Sequence, residues 1–146
     1  NFQGYTSDDC EALIGFGASA IGKTKHGYVQ NETAIGNYST RVRDGRLATA
    51  KGYSLTSEDR GRAAIIERLM CDFEADLPGI CSRYGLDHAA LTGGNERLSR
   101  AIDEGLAQMD GNILRIENDH RYLVRVVAAA FDSYLDRAAQ RHSKAV

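Results

Sequence analysis

The stretch with the greatest chemical potential reads Leu13-Ile14-Gly15-Phe16-Gly17-Ala18-Ser19-Ala20-Ile21-Gly22. Small residues alternate with apolar ones, and glycines fall at 15, 17 and 22. Glycine permits positive φ and lets the backbone lie close against a ligand or another segment. It also weakens helices, so a surface helix would not be built this way. Two readings stand open: a buried strand turning tightly against a neighbour, or a strand end and loop that wrap a flat or flexible cofactor. Tyr5 and Tyr28 are candidates to line a ligand, although tyrosines more often pack with the hydroxyl at the surface. Cys10, Cys71 and Cys81 are spaced too widely for one compact metal loop and read as buried or partly buried small hydrophobes. His26, His88, His120 and His142 are scattered without metal-ligand spacing. No Ser/His/Asp order, phosphate loop or zinc pattern is present. The sequence therefore assigns no catalytic residue and no metal ligand.

Composition narrows the classes. A chain of 146 residues can bury roughly 68–70% of its unfolded surface, enough for a core. The net charge of −2 does not favour polyanion binding, which calls for a basic face. No run of apolar residues is long enough to span a membrane, and no signal peptide opens the chain. An odd number of cysteines without framework spacing suits the reduced thiols of the cytoplasm.

Local patterns must position that glycine-bearing stretch. Residues 13–21 read as a strand or loop, residues 22–27 as an exposed polar loop, and residues 28–31 as a short strand. Ala34, Ile35, Tyr38 and Val42 fall at helical spacing, with Asn31 as the expected cap and Asp44-Gly45 as the stop. Residues 46–55 read as a connector with strand character at 48–50. Thr56-Ser57-Glu58-Asp59 starts a helix whose buried face holds Ala64, Ile65, Leu69 and Met70, with Cys71 at its edge. A brief extended piece follows at 73–76. Pro78 then opens a helix closed by Gly85. Asn95 caps a helix expected through Gln108, and Asp110-Gly111 marks a hairpin. Asn118 and Asp119 are expected to cap the longest helix, from 121 to about 140. Helix, strand, helix, helix, hairpin is a winged-helix order.

Recognisable motifs add to this reading. Asn1-Phe2-Gln3-Gly4-Tyr5-Thr6, the stretch at 13–22, Tyr28-Val29-Gln30-Asn31, residues 52–73 and residues 121–135 together resemble the oxygen-independent coproporphyrinogen III oxidases of the radical S-adenosylmethionine (SAM) superfamily. The opening hexapeptide is the most specific of these. The resemblance implies two SAM molecules and a [4Fe-4S] cluster, which cleaves SAM to a hydrogen-abstracting radical. It places Gln3 and Ile21 beside the second SAM. Glutamine offers donors and acceptors to a carboxylate, amine or ribose, and isoleucine offers an apolar wall. The cluster needs Cys-x-x-x-Cys-x-x-Cys, which this chain lacks, so the resemblance covers only the C-terminal part of such an enzyme. The chain opens at Asn1, without an initiator methionine, which fits that expectation.

The implied architecture is mainly α (α+β). Residues 1–45 would form the end of the radical SAM barrel and a connector, and residues 46–146 a helical, winged-helix-like C-terminal domain. The missing N-terminal barrel would be the partner, coproporphyrinogen III the substrate, and the full-length enzyme a cytoplasmic monomer that needs neither nucleic acid nor membrane. By itself the chain is expected to be inactive. Arg60, Arg62, Arg68, Arg121, Arg125 and Arg137 could meet propionates, but Glu58, Asp59, Glu67, Asp132 and Asp136 share their helices, so solvated pairs explain most of them. The alternative is a stand-alone winged-helix module that binds nucleic acid or protein. Its recognition helix would carry Glu96, Arg97, Arg100, Asp103 and Glu104, whose charges nearly cancel.

Overall fold

The computed structural model describes Cys10 and residues 12–135. Gln3 and Tyr5, with the rest of the opening hexapeptide, lie outside the described residues, as do Asp136, Arg137 and His142. The chain is mixed α/β, with two antiparallel sheets of three strands each among the described residues and no closed barrel. It divides into two compact units between Thr56 and Ser57.

The first unit is a meander. Strands β1 (Ile21–Thr24), β2 (Gly27–Asn31) and β3 (Thr49–Ser54) pair in the order β1-β2-β3. Helix α1 (Ile35–Arg43) lies between β2 and β3 in the chain. Residues 22–27, expected as an exposed loop, instead form most of a tight hairpin. Gly22 faces Val29 and Thr24 faces Gly27 across it. Cross-strand pairing overrides the polar composition, because Lys23 and Thr24 can point to solvent without leaving the ladder. The Thr24 hydroxyl closes the turn by accepting from the His26 N–H at 3.2 Å. The connector expected at 46–55 contains β3, which joins the sheet through β2. That pairing keeps β3 in the first compact unit, which ends at Thr56.

Asn31 does not cap α1. That helix begins at Ile35 behind Ala34, and no side chain bonds to its first turn. Its stop is as expected, with Asp44 as cap and Gly45 at φ 68°. No α1 residue is buried, so its apolar spacing does not mark a core-facing stripe among the described residues.

The second unit runs α2 (Ser57–Asp72), β4 (Glu74–Asp76), α3 (Leu77–Tyr84), α4 (His88–Thr92), α5 (Glu96–Asp103), β5 (Ala107–Asp110) and β6 (Ile113–Ile116). Its sheet has the order β4-β6-β5. Ile65 and Leu69, one helical turn apart on α2, are fully buried with Leu77, Cys81, Leu114, Val127 and Phe131. Cys71 is exposed, off that buried face. Gly85 and Asn95 bound their helices as expected, and Asp76 adds a cap that was not expected. Asp76 accepts from the Gly79 N–H ahead of Pro78, and Gly85 closes α3 in the left-handed region at φ 68°. Asn95 accepts from the Leu98 N–H at 3.1 Å.

Two expected helices are shorter. The helix capped by Asn95 stops at Asp103, because Gly105 turns left-handed at φ 72° and Ala107 enters a strand paired with Ile116. The long helix expected from residue 121 is broken. A 3₁₀ segment (Asn118–Leu123) leads into α6 (Val124–Ala128), followed by a 3₁₀ turn (Ala129–Phe131). The chain then leaves the helix at Asp132, whose side chain accepts from the Tyr134 N–H at 2.8 Å. Neither Asn118 nor Asp119 serves as its cap. The longest described helix is α2.

Candidate cofactor-binding site

The glycine-bearing stretch lies against the edge of the first sheet. Leu13 exchanges two backbone hydrogen bonds with Lys23, each 2.8 Å long. The chain then turns through Gly17 at φ 103° and Ser19 at φ 62° and enters β1 at Ile21. Its glycines are needed for two different reasons. Gly17 supplies an unusual backbone angle. Gly15 and Gly22 supply clearance, since a methyl group on either would sit within 3 Å of a main-chain oxygen. The reading of a strand end and loop is thus met in part: residues 14–20 are loop, and the strand starts only at residue 21.

Polar side chains of β2 and α1 hold this loop. The Asn31 Nδ2 donates to the carbonyls of Gly15 at 3.0 Å and Gly17 at 3.1 Å. The Gln30 Nε2 donates to the Ser19 carbonyl at 3.1 Å. The Gly17 N–H donates to the Tyr38 hydroxyl at 3.0 Å. Backbone bonds from Ser19 to Glu32 and from Asn31 to Ala20 complete the seam. Arg41 braces it from α1, pairing with Glu32 at 2.8 Å and donating to the Thr49 carbonyl at 3.1 Å. Sequence reasoning missed Asn31, Gln30 and Tyr38 as loop ties. The signal that could have found them is a pair of amides at the end of a strand that directly follows a glycine-rich loop.

Ile21 stands at the end of this loop, partly buried and opposite Gln30 in the ladder. Around it, Ile14 and Phe16 are 75% and 87% exposed, so the loop presents apolar side chains outward. Tyr28 is partly buried on β2, between Lys23 and Tyr53 in register.

The described residues do not fit an iron–sulfur cluster. Cys10 and Cys71 are exposed, Cys81 is buried, and no group of three or more His, Cys, Asp or Glu comes together among the described residues. The expectation of buried thiols holds for Cys81 alone. Burial pushes the Cys81 thiol up, with Asp87 adding to the shift and Arg62 opposing it. The Cys71 thiol is also raised, first by local burial and then by Glu67 and Asp72, against Arg68. Among the described histidines, His26 and His88 are exposed, and the His120 Nδ1 lies 3.1 Å from the Gly105 carbonyl. Two of the arginines expected in solvated pairs make them at i,i+4 spacing. Arg62 pairs with Glu58 and Arg68 with Asp72, both at 2.8 Å and one helical turn apart. Arg60 donates to the Ser57 hydroxyl, and Arg121 lies 4.6 Å over the Phe73 ring.

No family model matches the chain. Known proteins do. The oxygen-independent coproporphyrinogen III oxidase of Bradyrhizobium diazoefficiens is 56% identical over 146 residues, which is all of this chain and 32% of that protein. The enzyme of the same name from Paracoccus denitrificans is 41% identical over 149 residues, again covering all of this chain and 32% of its own length. Among solved structures, the coproporphyrinogen III oxidase of Escherichia coli, described as a radical SAM enzyme, superposes with a TM-score of 0.82 at 31% identity. That match covers 92% of this chain and 31% of the other. The chain therefore spans about a third of the length of the curated relatives it matches. With 56% identity over its whole length, this chain corresponds to the C-terminal third of the oxygen-independent coproporphyrinogen III oxidases.

Proposed function

We propose that the chain serves in an enzyme that oxidatively decarboxylates two propionates of coproporphyrinogen III to vinyl groups, giving protoporphyrinogen IX. The observation that carries this reading is the 56% identity to a coproporphyrinogen III oxidase across the whole chain. When bound, SAM and a [4Fe-4S] cluster supply the radical that abstracts hydrogen, the cluster being held by residues outside this chain. What these residues do is position and enclose. Gln3 and Ile21 contact the second SAM, Gln3 through hydrogen bonds and Ile21 through its apolar side chain.

Residues 1–45 end the radical SAM barrel, and the helical unit is a winged-helix-like cover over the substrate cleft. The element order from α2 to β6 and the sheet order β4-β6-β5 support the winged-helix reading. Outward-facing Leu13, Ile14, Phe16, Ile35 and Leu47 support a first unit built to pack against further protein. The enzyme works as a cytoplasmic monomer. No described helix is long and apolar enough to cross a membrane. The exposed face of α5 carries Glu96 and Asp103 beside Arg97 and Arg100, a poor match for a phosphate backbone.

The test is SAM binding to the full-length protein with Gln3→Ala or Ile21→Ala. Weakened binding and turnover are expected, and unchanged values for both would reject the assignment of these contacts.

A further inference from the structure

We infer that Asn31 is a positioning residue: its side-chain amide sets the path of the backbone from Gly15 to Ala20 and so fixes where Ile21 stands in the SAM pocket. This rests on the reading of Ile21 as a SAM contact made above. One nitrogen bridges two carbonyls, Gly15 at 3.0 Å and Gly17 at 3.1 Å, while the Asn31 main-chain N–H reaches Ala20 at 2.9 Å. Only a side-chain amide does this with a short stem, because it carries two N–H donors on one atom. The loop needs such ties. Ser19 holds φ 62°, a strained conformation for a residue with a side chain, which persists only where its surroundings enforce it.

The sheet is built to aim the amide. The pairing of β2 with β3 passes from Gln30–Lys51 to Asn31–Thr49, so Ala50 is skipped in a bulge at the position of Asn31. Bulges re-aim side chains in this way. Arg41 pins the bulge by donating to the Thr49 carbonyl. Tyr38 grips the opposite polarity of the loop, accepting from the Gly17 N–H. Asn31 is free for this task because α1 begins at Ile35 and does not use it as a cap.

The experiment uses the full-length enzyme, anaerobically reconstituted, with Asn31→Asp, Tyr38→Phe and Ile21→Ala made in parallel. Asn31→Asp keeps the size but turns carboxylate oxygens toward two carbonyls. It is expected to raise the KM for SAM about tenfold or more, with iron content and the KM for coproporphyrinogen unchanged. Tyr38→Phe, a milder change, is expected to shift the same KM by a smaller factor. A purely structural role would lower folded yield or iron content and leave the SAM KM of the folded enzyme alone. That outcome, in both variants, overturns the inference. If Asn31→Asp does not fold, Tyr38→Phe decides. An effect of Ile21→Ala without any effect of Asn31→Asp or Tyr38→Phe leaves the pocket standing and removes the positioning role. No effect of Ile21→Ala overturns both.

Discussion

Gly15 and Gly22 sit where a methyl group would meet main chain. An added Cβ would lie 2.9 Å from the Ile21 oxygen at the first position and 2.8 Å from the Leu13 oxygen at the second. Backbone in a paired strand cannot yield as a flexible side chain can. Gly15→Ala and Gly22→Ala are therefore expected to destabilise the first unit by about 1–3 kcal/mol each. Gly17→Ala meets nothing within 4 Å and carries only the strain of φ 103°, about 1 kcal/mol. Denaturant titration of the three variants checks that order. Thiol chemistry gives a second prediction. A raised pKa leaves less thiolate at pH 8, so Cys71 should label more slowly than an unfolded cysteine, and Cys81 only on unfolding. Because both folded-state values are raised, their contribution to stability is present below the ordinary value of 9.0 and is lost as pH rises through the folded values. The glycines were legible because glycine is the one residue that signals clearance and positive φ by its identity. Asn31 was not, because the same residue type caps helices and ties loops, and only the fold decides between the two.

At the scale of the element, turns and some caps were the readable features. Pro78, Gly85, Asn95 and the β5–β6 turn act through local backbone geometry, which sequence encodes directly, whereas the Asp76 cap was missed and Asn31, Asn118 and Asp119 do not serve as the caps expected. The two capping side chains should differ in cost. Asp76 accepts from Gly79, so Asp76→Ala is expected to cost about 1 kcal/mol. Asn95 caps α5 and also donates to the carbonyls of Leu91 at 3.2 Å and Ala130 at 2.9 Å, tying three segments together. Asn95→Ala should cost about 2 kcal/mol or more, read as a lower thermal midpoint. The β1 strand escaped notice because its residues are glycine, lysine and threonine around one isoleucine, without alternation to betray a buried face. The end of α2 falls where the extended piece at 73–76 was expected, but the means was not legible. Phe73 takes φ 62°, a place that usually announces itself as glycine, and is held there by Arg121 over its ring and by Ile116 bonding to its carbonyl. The break after Phe131 depends on Asp132 turning back on Tyr134, a local bond that competes with an otherwise regular helical spacing.

At the scale of the whole molecule, the two units are held together by different means. The second has a packed apolar core, in which Leu114 and Phe131 are fully buried. Leu114→Ala and Phe131→Ala are each expected to cost about 3–4 kcal/mol, measured by chemical denaturation. In the first unit, Ala48 is the only buried apolar side chain among the described residues, and cohesion comes from strand pairing and the polar ties around Asn31 and Arg41. The buried face of α2 was readable from spacing, since burial and periodicity go together there. The chain is nonetheless mixed α/β, with two three-stranded sheets among the described residues, and not mainly α as expected, because short strands of mixed composition carry little periodic signal. The proposed SAM contacts rest on family motifs alone: Gln3 lies outside the described residues, and Ile21 has no chemistry of its own to announce a role. Every proposed contact requires that this chain serve porphyrinogen oxidation. The most direct measurement is an anaerobic assay of the full-length, cluster-loaded protein with coproporphyrinogen III and SAM. SAM-dependent formation of protoporphyrinogen IX is predicted, and a folded, cluster-loaded protein that leaves coproporphyrinogen III unchanged would contradict it.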